Sequence, residues 1–437
     1  MDARQTASGK TPWRLAALAA ALALSMQPGL AAEEAAGNAP GRTVDELLTY
    51  AREHNPDLRV RRLDAQALHE RVVPASALPD PRFQVELMDF NNAMTPGKSA
   101  SLLPGSVGTT RYRAIQALPF PGKRGLRGEV AEALAGQADT AHDAARLELE
   151  AKIKVAFARH FQAVGQLRIL DETLHLVDAL ERLVVHRYSV GLVPQQDAVR
   201  VQSESTSLKV DLVESERRRR EAAARLNALL PRAADAPLAE PVRLMVPPNS
   251  RNLAQIYAQA REVSPDLSRE RLGVSAAEKT KDLVHLNRYP DFGLALTNNR
   301  PRSDMIGPET WDLMVEVNIP LQQSSRRAQE REASYRLDAA RERVAAAEAR
   351  LNGRLGEALA GFNASVDKAR LLRDTLLPQA RATLDSAQAG YESGRVNFNT
   401  LIEAERQILR TRLALLDADV EASIRQAELE QLAGAPL

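Results

Sequence analysis

Ala51-Arg52-Glu53-His54-Asn55-Pro56-Asp57-Leu58 returns as Ala260-Arg261-Glu262-Val263-Ser264-Pro265-Asp266-Leu267, an offset of 209 residues. The echo holds at that offset: Arg62-Leu63 answers to Arg271-Leu272, Ala67 to Ala276, Pro81 to Pro290, Phe83 to Phe292 and Leu87 to Leu296. Farther on the offset falls to 203, where Tyr188-Ser189-Val190-Gly191-Leu192-Val193 is matched by Tyr391-Glu392-Ser393-Gly394-Arg395-Val396. The chain is a tandem duplication of one long unit, and its function must be one that a duplicated scaffold can perform. This reading divides it into a signal peptide (1–32), a linker (33–42), a first repeat (43–248) and a second repeat (249–437).

The signal peptide is predicted from three parts in order. Lys10 and Arg14 precede an apolar run from Leu15 to Met26, and Pro28-Gly29 and Leu30-Ala31-Ala32 come before Glu33. Cleavage is expected near Ala32. The apolar run is well short of the ~20 residues that a spanning helix needs. With no cysteine in 437 residues, there is no disulfide framework, thiolate site or cysteine nucleophile. A net charge of +1 gives no reason to expect nucleic acid as a partner. The run Arg217 to Arg220 is followed at once by Glu221 and reads as a solvated helix face.

Each repeat has the same order of elements. Thr43 to His54 and Leu58 to about Ala77 carry helical spacing, with Thr43 as N-cap and Glu46 completing a capping box. Pro79 and Pro81 stop the helix. A strand is predicted over 82–90, with Phe83, Val85 and Leu87 on one side and Gln84, Glu86 and Met88 on the other. A second strand over 110–118 ends at Pro119-Phe120-Pro121-Gly122-Lys123-Arg124. The second repeat supplies strands over 290–297 and 310–319. After each strand pair comes a long helical tract. No proline lies between Pro121 and Pro194, and Leu167, Leu170, Leu174, Val177 and Val184 recur at coiled-coil spacing. About 65 residues at ~1.5 Å each make a rod on the order of 100 Å. The tracts turn back at 189–194 and 392–397, the second returning along Ile402, Leu409, Leu413, Leu416 and Val420.

Physics restricts the assembly. In hydrocarbon each unpaired backbone N–H or C=O costs several kcal/mol, so an amphipathic sheet with open edges must close into a barrel. Four strands are too few; three copies sharing one barrel give 12, with an open lumen. The scarce aromatics gather at these strands as Phe83, Phe90, Tyr112, Phe120, Tyr289, Phe292 and Trp311, as interfacial girdles require.

The duplicated Pro-Asp-Leu helices, the two tyrosine-glycine turns with Asp197 after the first, and the strand-plus-helix hairpins resemble the TolC family of outer-membrane efflux channels. The resemblance covers the chain from about Thr43 to Gly434. Leu118-Pro119-Phe120-Pro121-Gly122-Lys123-Arg124-Gly125 is most similar to the heavy-metal branch of CzcC- and CusC-type channels. The fold this implies is mainly α with a β-barrel: a trimeric 12-stranded barrel in the outer membrane and a periplasmic α-helical tunnel. The function it implies is a passive exit duct for heavy-metal cations in a tripartite efflux system. A periplasmic adaptor (membrane fusion) protein, an inner-membrane pump, outer-membrane lipid and two further copies of the chain are the partners implied.

The resemblance also assigns roles by residue. Val190, Gly191 and Leu192, with Ser393, Gly394, Arg395 and Val396, would form the adaptor-docking tips. Tyr391 and Asp197 would form a hydrogen-bonded gate latch. Of two acidic pore positions in the family, the first is Thr400 here and the second Glu403, with Glu405 as a further pore-lining acid. No enzyme is indicated: His54, His69, His142, His160, His175, His186 and His285 form no HxxH or HxxxH pair. No catalytic residue, cofactor or metal centre is expected, and Met88, Met94, Met305 and Met314 read as ordinary apolar residues rather than a soft-metal relay. Export of drugs or secreted polypeptide through the same kind of channel is the alternative, and a periplasmic coiled-coil adaptor is the competitor from another class.

Overall fold

A computed structural model describes residues 39–94, 97–242, 244, 252–302 and 307–436. The expected signal peptide over 1–32, most of the 33–42 linker and Met305 lie outside the described residues. The elements are α1 (Val44–His54), α2 (Pro56–Glu70), α3 (Val72–Ser76), β1 (Arg82–Met88), β2 (Thr109–Leu118), α4 (Lys123–Ser189) and α5 (Gln195–Leu229). The second half repeats the order with α6 (Leu253–Val263), α7 (Pro265–Leu286), β3 (Asp291–Pro301), β4 (Thr310–Asn318), α8 (Gln323–Leu371), α9 (Leu377–Glu392) and α10 (Phe398–Ala433).

Local chemistry sets the element ends. Asn55 caps α2, its Oδ1 accepting from the N–H groups of Asp57 (2.9 Å) and Leu58 (3.2 Å), with Pro56 in the first turn where no donor is needed. Ser264 holds the matching place before α7 without a side-chain cap bond. Glu46 accepts from the N–H of Gly41 at 3.3 Å rather than closing the expected box on Thr43. β1 stops at Met88, two residues before the expected end, because Asp89 takes φ +52° and its Oδ1 accepts from Ala93 N–H at 2.9 Å. One π-helical turn, Leu372–Leu376, joins α8 to α9. Pro378 explains it: the proline has no N–H to donate and crowds the preceding turn, which widens to accommodate it.

The contact pattern yields two compact units that do not follow the repeat boundary. One takes the described parts of Met1–His54, Ile153–Val246 and Lys368–Ser423; the other takes Asn55–Lys152, Pro247–Asp367 and Ile424–Leu437. Both repeats contribute to each. In the first unit, Val177, Leu180 and Val184 of α4 pack with Val201 and Leu208 of α5, Leu384 and Tyr391 of α9, and Phe398, Leu401 and Ile402 of α10. The second unit holds one sheet in the order β1-β2-β3-β4, antiparallel throughout, so the strand pairs of the two repeats join edge to edge through β2 and β3.

Candidate functional sites: an amphipathic sheet and the core behind the hairpin turns

Register makes the sheet two-faced. One face carries the rows Val85, Tyr112, Asn298, Trp311; then Phe83, Ala114, Leu296, Leu313; then Gln116, Leu294, Val315; then Leu118, Phe292, Val317. The other carries Glu86, Arg111, Asn299, Thr310 and then Gln84, Arg113, Thr297, Asp312. That second face is bonded side chain to side chain: Arg111 reaches Glu86 (2.9 Å) and Asn299 (2.8 Å), and Arg113 donates to Thr297 (3.3 Å). The apolar face is bare in the single chain, with Trp311 65% and Leu313 73% exposed. Tyr112 and Trp311 share one end of this face, and Phe292 lies at the other, where Phe120 stacks on Tyr289 at 4.6 Å. At 7 to 11 residues, the strands approach or match the ~9–11 that cross hydrocarbon.

Lys123 stands where β2 becomes α4, a place where a lysine is expected to reach water. The structure buries it instead: Lys123 Nζ meets Asp291 Oδ1 at 2.8 Å, and the same oxygen accepts from the N–H of Phe120 at 2.8 Å. Gly122 takes φ +92°, which turns the chain out of the strand ladder.

The two helical turns close identically. At the first, Gly191 N–H donates to Tyr188 O (2.9 Å) and Leu192 N–H to Arg187 O (2.8 Å). At the second, Gly394 N–H donates to Tyr391 O (3.0 Å) and Arg395 N–H to Gly390 O (2.8 Å). Gly191 and Gly394 sit at φ +75° and +73°, the left-handed cap that glycine adopts without strain. The surfaces differ. Val190 and Leu192 are exposed apolar residues; Ser393, Gly394 and Arg395 are exposed and polar, while Val396 packs inward.

Behind the turns, Tyr391 is 3% exposed and packs edge-on against Phe398 at 5.6 Å. Arg187 crosses from α4, its guanidinium 5.0 Å from the Tyr391 ring centre and its Nη1 donating to Tyr391 O at 2.7 Å. The Tyr391 hydroxyl has no hydrogen-bond partner among the described residues. Burial raises its pKa, the Asp197 charge raises it further, and Arg187 opposes both. Asp197 is pushed up by its own partial burial, with Arg200 opposing. The expected latch pair are therefore neighbours, and the hydrogen bond between them is not made in this chain.

One turn deeper, Arg406 Nε holds both oxygens of buried Glu204 at 3.2 Å, and its Nη1 reaches Glu403 at 3.3 Å. Arg410 approaches Glu403 at 3.6 Å. Glu403 is exposed, as a pore-lining acid would be, but carries these two cations. Glu405 is a correction: expected at the pore, it is 0% exposed within the helical core, because it falls on the same stripe of α10 as Leu401 and Ile402. Thr400 donates to Asn397 Oδ1 from both its N–H and its hydroxyl at 3.0 Å, so Asn397 caps α10.

Residues 256–435 match the outer membrane efflux protein family. The match lies in the second repeat and takes in less than half of the chain. The chain is 20% identical over 375 residues to the cobalt-zinc-cadmium resistance protein CzcC of Cupriavidus metallidurans, covering 86% of this chain and 85% of that one. Its fold is similar to the outer membrane protein VceC of Vibrio cholerae (TM-score 0.74, 17% identity, 90% of this chain and 96% of that one). It is likewise similar to CusC, with a TM-score of 0.72 and 20% identity over 91% and 95% of the two chains. The matched family and the shared fold are those of outer-membrane efflux channels. No described helix is long and apolar enough to cross a membrane. Among the described residues no group of three or more His, Cys, Asp or Glu is placed to hold a metal ion.

The family motifs did not point to Arg187, Glu204 or Arg406. A signal for Glu204 was present: Val201, Glu204 and Leu208 follow one helical stripe, so a charge stood at a core position and required a buried partner.

Proposed function

We propose that three copies of this chain close their sheets into one 12-stranded barrel and export divalent heavy-metal cations, with an adaptor seated on the helical turns. The two-faced sheet with unpaired outer edges at β1 and β4 carries this reading, since it needs both lipid on one face and further strands at its edges. The metal assignment rests on the likeness to CzcC. Val190, Gly191 and Leu192 supply an apolar docking surface, and Ser393, Gly394 and Arg395 a polar one, with Val396 packed beneath it. Glu403 is the acid that favours cations at the tip, tempered by Arg406 and Arg410. Tyr391 and Asp197 act as a latch whose hydrogen bond forms in the assembled, closed tip.

The test is accumulation of zinc, cobalt and cadmium in cells lacking the gene, with and without its return, beside the oligomeric mass of the purified protein. Restored metal export and a trimeric mass are expected. Unchanged metal levels with restored drug export would move the cargo to organic compounds, and a water-soluble monomer would overturn the channel assembly.

A further inference from the structure

Glu405 is an acid in a place built for a hydrocarbon. Leu401, Ile402, Glu405, Ile408 and Leu409 form one stripe of α10, and all but Glu405 are apolar members of the helical core. Both Glu405 oxygens are buried without a hydrogen-bond partner among the described residues. The nearby cations are engaged elsewhere, Arg406 on Glu204 and Glu403, and Arg410 on Glu403. Further titratable groups on the helices packed here are Asp178 of α4, which accepts from Ser205 Oγ at 3.1 Å, Asp197 of α5, and Tyr391 of α9 beneath Arg187. An ionised carboxylate in such a position is costly, and a neutral one is tolerated.

We propose that Glu405 is a proton-operated lock on α10: protonated, it keeps α10 packed against α4, α5 and α9, and ionised, it drives α10 out of that packing and opens the tip. The effect on opening rests on the channel reading above; the effect on packing does not. Burial, and next the charge of Glu204, lift Glu405 from the usual carboxylate range to about 7. The sign follows. At low pH the proton is bound whether α10 is packed or released. As pH rises, the released form ionises first, so packing loses ground until pH passes about 7 and is disfavoured from there on. The swing reaches on the order of a hundredfold in the packed-to-released ratio.

The native chain has no cysteine, so a single engineered thiol reports without background. Ala404→Cys places one in the buried face of α10, and Ser203→Cys on exposed α5 controls for the intrinsic rise of thiol reactivity with pH. The ratio of maleimide labelling at the two positions, measured on the assembled protein, is expected to climb about tenfold or more between pH 6 and pH 8. With Glu405→Gln it is expected to stay flat and low. With Glu204→Gln its midpoint should move to lower pH, because a neighbouring charge is gone. A pH profile unchanged by both substitutions overturns the lock, whatever the fold of either variant. Planar-bilayer conductance on the same proteins separates the two readings. Labelling that follows Glu405 with silent bilayers removes the conduit and leaves the lock. Conductance that is open and pH-independent removes the lock and leaves the conduit.

Discussion

The sheet and the helical core break the ordinary rule of burial in opposite directions. The sheet leaves Trp311, Leu313 and Val315 bare, whereas the core encloses Glu204 and Glu405. Each violation marks a missing surrounding. Exposed apolar rows flanked by aromatics are stable where the solvent is hydrocarbon, and the polar rows behind them where it is water. The buried acids have no such external remedy. Glu204 is rescued by Arg406 from the neighbouring helix, and Glu405 is relieved only by a proton. The sheet is thus set by its environment and the core by its internal charge state, so the two regions answer to different perturbations.

A charge on the apolar face should have the largest effect. Val315→Lys is expected to cost about 2–4 kcal/mol in the membrane and to abolish the assembled form, read as oligomer recovered in the outer-membrane fraction. Met314→Lys, one residue away on the polar face, is expected to assemble. Equal damage from both would mean that the sheet packs as a protein core with two dry faces, and the contrast would collapse.

Next comes the internal pair. Arg406→Ala leaves Glu204 buried and unpaired, and a loss of about 2 kcal/mol is expected in denaturant unfolding of the detergent-solubilised protein. Replacing Glu204 and Arg406 together with methionine should recover most of that loss. A double variant as damaged as the single one would show that the pair contributes packing rather than charge balance.

How far each region could be read in advance follows from the range of the interactions. The strands were legible because their period of two is local, but their ends were less so: β1 stops early at Asp89, and β3 runs on to Pro301, four residues past the expected 297, because β2 pairs with it there. The turns were legible because Gly191 and Gly394 repeat. The union of β2 with β3 was not legible, since it joins Thr109 to Pro301 across the whole first helical hairpin. Nor was the Arg187 clamp on Tyr391, made between helices of different repeats. Glu405 was readable and was misplaced. The spacing Leu401, Ile402, Glu405, Ile408, Leu409 already set it in the core, but proximity to the family's acidic motif drew it to the pore. Helical phase decides which way a side chain faces within a turn of the helix; distance along the chain does not.

Smaller effects belong to the turns. Gly191→Ala and Gly394→Ala should each cost about 1 kcal/mol in thermal unfolding, since nothing lies within 4 Å of the added methyl and the left-handed backbone is the sole source of strain. Gly394→Asn is expected to be milder, because asparagine tolerates that conformation. A larger loss would mean that another chain already packs on these turns in the purified protein.

Tyr391→Phe is expected to change stability least and function visibly. The hydroxyl it removes is buried and unbonded in this chain, so deleting it discards no hydrogen bond, and unfolding should stay within about 0.5 kcal/mol of the parent. If Asp197 takes that hydroxyl only in the closed, assembled tip, the variant should raise open probability in planar bilayers by about an order of magnitude, the worth of one bond to a charged acceptor. Asp197→Ala should do the same, and combining the two should add little, because both remove the same bond. Additive effects would separate the residues and dissolve the latch. A stability loss of about 1.5–3 kcal/mol in Tyr391→Phe would mean that the bond persists open and closed, and a bond common to both states cannot gate.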